Sequence, residues 1–140
     1  MGRRGLLVVA LAALVVLAAG CGGGAETTVR EALIETISPA DAADLIAAAP
    51  AGLVVLDVRT PDEFAAGHVA GAVNLDFYAP TFSIDLTALD AEVPYILYCR
   101  SGNRSADARE MMRSFGFLEV HEIAGGINAW VEAGLPVETP

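Results

Sequence analysis

The chain contains no lysine, and its eight arginines face 18 aspartates and glutamates, so the formal net charge is −10. A surface this acidic excludes nucleic acid as a partner, because phosphate binding requires basic side chains. Docking to anionic lipid headgroups is excluded for the same reason. With only two histidines and two cysteines, the chain cannot assemble the usual cluster of metal ligands, and neither a metal nor a cofactor is expected.

Only one long apolar run occurs, and it lies near the start of the chain. Arg3 and Arg4 precede 14 apolar residues, Leu6–Ala19, and the run ends at Gly20 and Cys21. A basic start, a short apolar stretch and small residues at its end are typical of an export signal. As a helix this run reaches ~21 Å, which is short of a hydrocarbon core of ~30 Å. A permanent transmembrane helix is therefore the weaker interpretation.

The residues Leu17–Cys21 resemble a bacterial lipoprotein signal, in which the cysteine becomes the lipidated first residue of the mature protein. This implies a signal peptide over residues 1–20 and a flexible, lipid-anchored tether over residues 21–36. The bulky residue usual three positions before the cysteine is replaced by Ala18, so an ordinary cleavage site is the alternative. The expected location is the outer face of a bacterial membrane, in the periplasm or at the cell surface. Two acyl chains on Cys21 would anchor the protein there stably.

Apolar runs alternate with helical segments along the rest of the chain. Ser38 and Thr60 each precede a proline, as N-caps do at the start of helices. A lead-in helix or strand is predicted over Val29–Ile37. Strands are predicted at Leu53–Leu56, Ala72–Leu75, Tyr95–Tyr98 and Leu118–Ile123, and helices at Pro39–Ala49, Pro61–Gly67, Ser83–Leu89, Arg104–Phe115 and Ile127–Ala133. This alternation predicts one α/β domain over residues 37–138, with a mostly parallel central sheet flanked by helices.

Cys99 is the thiol available for chemistry. If Cys21 carries lipid, Cys99 has no partner for an internal disulfide. Exported proteins usually hold their cysteines as disulfides, so a lone thiol there is either buried and inert or reactive. Its sequence neighbours favour reactivity, because Cys99 begins a turn of small residues and arginines, Cys99–Ser105, between a predicted strand and a predicted helix.

The Cys99–Ser105 turn is suited to an anion. Ligands of open α/β sheets bind beyond the carboxyl ends of the strands, where Cys99 lies. Free amides at the start of the following helix, and a backbone curled at Gly102, favour negative charge. Arg100 and Arg104 add positive charge. Together these features predict that the thiol pKa falls from ~8.5 into the range of roughly 3.5–7.5, so that Cys99 is a thiolate at neutral pH.

Four blocks in order resemble the rhodanese family of thiosulfate sulfurtransferases. They are Leu56–Arg59 followed by Glu63 and Phe64, then Gly67–Asn74, Cys99–Ser105 and Gly125–Trp130. The resemblance covers nearly all of the expected mature chain and implies a single rhodanese-like domain. It also implies that Cys99 takes a sulfane sulfur from a donor and passes it from a persulfide to a thiol or to cyanide.

The same resemblance assigns roles to the residues around Cys99. Arg104 would attract an anionic donor such as thiosulfate. The backbone amides that would cradle the sulfur are those of Arg100, Ser101, Gly102, Asn103, Arg104 and Ser105. Asp57 and Arg59 either face the mouth of this loop and position it, or form a structural ion pair.

Four further polar residues receive structural interpretations. His68 is expected to be a structural residue of a helix-to-strand turn rather than a general base. His121 alternates with apolar neighbours and is expected to face solvent. Asp62 and Glu63 are interpreted as acidic residues of a helix's first turn and not as a catalytic pair.

Three other functions compete with a general sulfurtransferase. Cysteine phosphatases and arsenate reductases also use a thiolate in an anion-binding loop, but their arginine follows five intervening residues. Arg104 is the fifth residue after Cys99, so this loop is one residue short and suits a sulfur atom better than a phosphoryl group. A non-enzymatic, membrane-tethered binding module and a dedicated persulfide carrier for one partner protein are the remaining alternatives.

Overall fold

The structure is a computed structural model that describes residues 30–140. The predicted signal peptide and Cys21 lie outside the described residues. The elements in chain order are β1 (Leu33–Ile37), α1 (Pro39–Ala48), β2 (Val54–Asp57), α2 (Pro61–Ala65), β3 (Val73–Asn74), α3 (Phe82–Thr87), β4 (Pro94–Tyr98), α4 (Asn103–Ser114), β5 (Glu119–Ile123) and α5 (Gly126–Glu132). Among residues 30–140, no helix has the length and apolar character needed to cross a membrane.

The five strands form one sheet in the order β1-β5-β4-β2-β3. Every neighbouring pair is parallel, which confirms the predicted α/β fold with a parallel sheet. Helices connect the strands, as parallel neighbours require. The central strand is β4, and its carboxyl end leads directly into Cys99.

Side chains of β4 point alternately into two apolar cores, one on each face of the sheet. Tyr95 and Leu97 pack in one core with residues of α3 and α4. Ile96 and Tyr98 pack in the other core with residues of α1 and α5. Burial on both faces explains why this strand is a continuous apolar run. It also fixes the position of the residue that follows it.

Local capping signals define the starts of two helices as the sequence predicts. The Ser38 hydroxyl accepts a hydrogen bond from the Asp41 amide at 3.1 Å, and α1 begins at Pro39. Thr60 and Glu63 form a capping box at the start of α2, in which each side chain accepts a hydrogen bond from the other residue's amide. These bonds satisfy amides that have no partner inside the helix.

The sheet begins earlier in the chain than the predicted domain. Strand β1 starts at Leu33 and pairs along its whole length with β5, so residues 33–36 belong to the sheet and not to a flexible tether. Only Ile34 and Ile37 of this edge strand pack against the cores. The predicted lead-in helix or strand over Val29–Ile37 is a strand over Leu33–Ile37, and it includes the last residues of the predicted tether.

The prediction that His121 faces solvent is wrong, because strand β1 covers it. The His121 side chain is only 7% exposed, and its two ring nitrogens lie 2.9 Å from Glu35 and 3.0 Å from Glu119. Glu35 is the register partner of His121 across the β1–β5 pair. His68, by contrast, packs in the turn between α2 and β3 as predicted: its ring stacks on Phe64 at 3.8 Å.

Candidate active site

Cys99 lies at the carboxyl end of β4, at the start of a loop that leads into α4. We call residues Cys99–Ser105 the Cys99 loop. The thiol is buried, with 1% of the residue exposed. The Gly102 amide donates a hydrogen bond to Cys99 Sγ at 3.1 Å, and the Ser105 hydroxyl oxygen lies 3.4 Å from the same sulfur. The loop therefore encloses a single sulfur atom closely.

Glycine at position 102 makes this curl possible. Gly102 is the N-cap of α4 and has a φ of 110°, a backbone conformation that favours glycine. The turn brings the first amides of the loop and of α4 toward one point, where the helix dipole also favours negative charge. The loop thus has the curl at Gly102 that the sequence predicts, with amide donors directed at the sulfur.

Hydrogen bonding lowers the pKa of the Cys99 thiol below its ordinary value. Burial raises this pKa, but hydrogen bonds outweigh it: one from the Ser105 hydroxyl in the orientation in which its proton points to the sulfur, and those from the Ser105, Gly102 and Ser101 amides. The direction is the predicted one, although the main cause is the set of donors in the loop rather than the arginine charges. A thiolate is the nucleophilic form of cysteine.

Arg104 is engaged by Glu63 at the rim of the loop. Its two terminal nitrogens donate to the two carboxylate oxygens of Glu63 at 2.7 Å and 2.8 Å. The Arg104 guanidinium also lies 5.4 Å from the centre of the Tyr78 ring. The hydrogen bond from Arg104, opposed by partial burial and helped by Thr60, lowers the pKa of Glu63 to about 2. Glu63 thus offsets much of the positive charge that the sequence assigns to donor binding.

Glu63 is a site residue that sequence reasoning missed. Its position three residues after Thr60 indicates a capping box, and that role is real. Its second role depends on a partner 41 residues away in the chain, for which the local sequence has no signal. Arg100, the other arginine of the loop, is exposed and has no ion-pair partner within residues 30–140.

Asp57 and Arg59 form a buried ion pair beside the site. Arg59 Nη2 lies 2.6 Å from Asp57 Oδ2 and also donates to the Gly67 carbonyl at 2.7 Å. Asp57 is fully buried, so its carboxylate braces the turn between β2 and α2 instead of facing the mouth of the loop. Arg59 also lines a cavity of about 330 Å³, shared with Glu63 and Asn128, between α2 and α5.

The start of α5 holds the other side of the Cys99 loop. The Ile127 amide donates to the Cys99 carbonyl at 2.9 Å, and the Asn128 amide donates to the Arg100 carbonyl at 3.1 Å. A Cβ atom on Gly126 would lie only 2.5 Å from the Cys99 carbonyl oxygen. Glycine is therefore required for α5 to approach the loop this closely, and the two amides fix the backbone that carries the thiol.

A buried carboxylate lies below the loop, on β5. The Ser105 hydroxyl, next to Cys99 Sγ, lies 2.7 Å from Glu122 Oε1. Glu122 Oε2 accepts a hydrogen bond from Arg109 at 2.8 Å. The sequence does not single out Glu122, because its partners on α4 lie 13 and 17 residues away in the chain. No group of three or more potential metal ligands occurs in the described part of the chain.

A thiol held by main-chain amides at the end of the central strand of an all-parallel, five-stranded sheet defines a rhodanese-fold domain. The model of the rhodanese-like domain family matches residues 38–133, which is more than half of the chain. The chain belongs to the rhodanese-like domain family.

The relatives include named sulfurtransferases. Thiosulfate sulfurtransferase GlpE of Pseudomonas putida is 40% identical over 88 residues, which is 63% of this chain and 77% of that protein. Thiosulfate sulfurtransferase 16, chloroplastic, of Arabidopsis thaliana is 36% identical over 98 residues and aligns over 63% of this chain and 82% of its own length. The crystal structure of a rhodanese-related protein from Thermoplasma volcanium superposes with a TM-score of 0.67 at 33% identity, covering 76% of this chain and 99% of that one. The family and these relatives support sulfurtransferase activity in general.

Proposed function

We propose that this protein is a thiosulfate sulfurtransferase that carries sulfur as a persulfide on Cys99. The observation that carries the proposal is the hydrogen bond of 3.1 Å from the Gly102 amide to Cys99 Sγ, within a loop that lowers the pKa of the thiol. A loop that stabilises a sulfur anion serves both the attacking thiolate and the persulfide that replaces it.

In the first half-reaction the Cys99 thiolate attacks the outer sulfur of thiosulfate or a similar donor. A bond forms between Sγ and that sulfur, the sulfur–sulfur bond of the donor breaks, and its electron pair leaves with sulfite. The negative charge then resides on the outer sulfur of the persulfide. The amides of Arg100, Ser101, Gly102, Asn103, Arg104 and Ser105 supply the donors that hold it.

In the second half-reaction a thiolate or cyanide attacks the outer sulfur of the persulfide. The sulfur–sulfur bond to Cys99 breaks and its electron pair returns to Sγ, which regenerates the thiolate. The acceptor leaves as a persulfide or as thiocyanate. Because sulfite departs before the acceptor reacts, the scheme is a double displacement.

The steady-state kinetics of thiocyanate formation test this scheme. The full chain with thiosulfate and cyanide should give parallel double-reciprocal lines, and the isosteric variant Cys99→Ser should give no thiocyanate above the uncatalysed rate. Intersecting lines, or activity retained in Cys99→Ser, would remove the persulfide from the mechanism. A persulfide that forms but does not pass to cyanide would instead identify the protein as a dedicated carrier.

We also propose that the domain is exported and anchored by lipid at Cys21, on the outer face of a bacterial membrane. The support is the basic, apolar and small-residue pattern of residues 1–21. Metabolic labelling with a fatty acid in a bacterial host should mark the wild-type chain and not the Cys21→Ser variant. Equal labelling of both chains, or none of either, would contradict the anchor.

A further inference from the structure

Glu122 is a buried carboxylate for which the proposed reaction has no assigned use. Only 4% of the residue is exposed, and both of its carboxylate oxygens have polar partners. Oε1 accepts from the Ser105 hydroxyl at 2.7 Å, and Oε2 accepts from Arg109 Nη1 at 2.8 Å and from the Thr36 hydroxyl at 3.2 Å. The ion pair with Arg109 and the two hydroxyl donors compensate the cost of burying this side chain.

The Ser105 hydroxyl has one proton and three acceptors within reach. These are Cys99 Sγ at 3.4 Å, the Gly102 carbonyl at 3.2 Å and Glu122 Oε1 at 2.7 Å. A hydroxyl donates only one hydrogen bond at a time. Bonds to a carboxylate are shorter and about twice as strong as neutral ones, so the 2.7 Å distance indicates where the proton lies. The hydroxyl can stabilise the thiolate only when its proton turns from Glu122 to the sulfur.

We propose that Glu122 is a positioning residue for the nucleophile, whose carboxylate holds the Ser105 hydroxyl proton away from Cys99 Sγ and thereby limits how readily the thiol ionises. The thiolate is then stabilised by the loop amides alone. Its catalytic consequence rests on the proposed sulfurtransferase function: a thiolate that is less strongly stabilised is a better nucleophile, because nucleophilicity falls as thiol pKa falls.

The other charged groups around this network are either paired or, like Arg100, exposed at the surface of the loop. Arg109, on α4, faces Glu122 directly and also contacts Glu110. Arg104 interacts electrostatically with Cys99 but is held by Glu63. On β1, Thr36 contributes an uncharged hydroxyl to Glu122. The ionisation of Cys99 is therefore coupled most directly to Glu122, through the Ser105 hydroxyl.

The variant Glu122→Gln tests the proposal. Arginine can only donate, so the glutamine turns its carbonyl to Arg109 and its NH₂ group to Ser105. Ser105 is then free to donate its proton to the Gly102 carbonyl or to the sulfur, and an ionised sulfur is the stronger acceptor. We expect the pKa of the Cys99 thiol to fall by about one unit, since the thiolate gains a donor and loses a nearby negative charge.

This pKa is measured by the ultraviolet absorbance of the thiolate as a function of pH, with Cys99→Ser as the blank. All chains carry Cys21→Ser, so that Cys99 is the sole thiol. The titration uses neither donor nor acceptor, so its outcome is independent of whether the protein transfers sulfur. Glu110→Gln is the matched control: it removes a carboxylate that also contacts Arg109 but lies at the surface and does not touch Ser105. It should leave the thiol pKa unchanged.

Ser105→Ala provides a second test if Glu122→Gln does not fold. Because the hydroxyl proton already points to Glu122, its removal should leave the Cys99 pKa almost unchanged, and Glu122→Gln should shift this pKa much less in that background. A rise of about one unit in Ser105→Ala would show that the hydroxyl donates to the sulfur, which overturns the proposal. So would a Glu122→Gln pKa that stays constant or rises.

Discussion

At the scale of single residues, the ion pair with Glu63 reduces the ability of Arg104 to attract an anion. The sequence places an arginine beside the nucleophile, and an anionic donor such as thiosulfate is the natural ligand for it. In the structure both terminal nitrogens of Arg104 already bind the Glu63 carboxylate. Under the proposed function, an anionic donor would have to compete with Glu63 for this guanidinium.

Arg104→Ala should raise KM for thiosulfate by roughly tenfold while lowering kcat much less. The substitution removes the cation and also leaves the Glu63 carboxylate unpaired at the rim, where it repels an anionic donor. Steady-state kinetics at fixed ionic strength measure both constants. The matched variant Glu63→Gln keeps Arg104 and removes its competitor, so its KM should fall. An unchanged KM in Arg104→Ala would end the donor-binding role.

The Arg104–Glu63 pair also makes stability depend on pH. The pKa of Glu63 falls from 4.5 to about 2 in the folded state, so its stabilisation is complete above about 4.5 and is lost as the pH falls through about 2. The Glu63 side chain is 27% exposed, so water screens the ion pair, and its contribution to the free energy of unfolding is roughly 1–2 kcal/mol.

Denaturant unfolding at several pH values measures that contribution. At pH 7, Glu63→Gln should be less stable than the wild type by this amount, and the difference should shrink between about pH 4.5 and pH 2. Asp62→Asn is the control, because Asp62 is an exposed carboxylate in the same turn of α2 with no contact to Arg104. A Glu63→Gln difference that is constant down to pH 2 would contradict the assignment.

At the scale of elements, α5 acts as a brace for the nucleophile's loop. Its first amides bind the carbonyls of Cys99 and Arg100, and Gly126 lets the helix come within reach. Helix α5 directly follows β5, so the placement of the β5–α5 connection affects the backbone that carries the thiol. The GGI segment at its start (Gly125 to Ile127) has a packing role as well as a conformational one.

Gly126→Ala should displace the Cys99 loop and reduce kcat by on the order of 10- to 100-fold, because small displacements of a reacting group are costly. Thermal stability should fall as well. Gly134→Ala is a matched control: Gly134 has a φ of +74°, close to the +62° of Gly126, but a Cβ there would meet no atom within 4 Å. Both variants carry backbone strain, and only Gly126→Ala should lose the activity. Equal loss in both would refute the brace.

The elements that the sequence predicts well are those with local signals. Ser38 and Thr60 cap their helices through neighbours three residues away, and the apolar run of β4 reflects burial on both faces of the sheet. The local sequence of β1 leaves helix and strand open, and the burial of His121 depends on Glu35, 86 residues away, so the sequence does not show it. The same holds for Glu63 and Glu122, whose roles arise only when distant elements pack together.

At the scale of the whole molecule, the chain is strongly acidic, and four of the six arginines within residues 30–140 lie in the Cys99 loop or next to it: Arg59, Arg100, Arg104 and Arg109. Three arginines form ion pairs beside or below Cys99: Arg59 with Asp57, Arg104 with Glu63, and Arg109 with Glu122. Each of these guanidinium groups is bound to a carboxylate, and the donor nearest to the sulfur is the main-chain amide of Gly102. Strand β4 places the thiol at the carboxyl ends of the parallel strands, and the amides of α5 hold its loop there.

The most direct test of this account is the intact mass of the protein after thiosulfate treatment. The full chain carrying Cys21→Ser should gain about 32 Da, the mass of one sulfur atom, and lose it again on addition of cyanide. The same chain with Cys99→Ser in addition should gain nothing. A wild-type Cys99 that acquires no sulfur, or an adduct that persists in Cys99→Ser, would contradict a persulfide on Cys99.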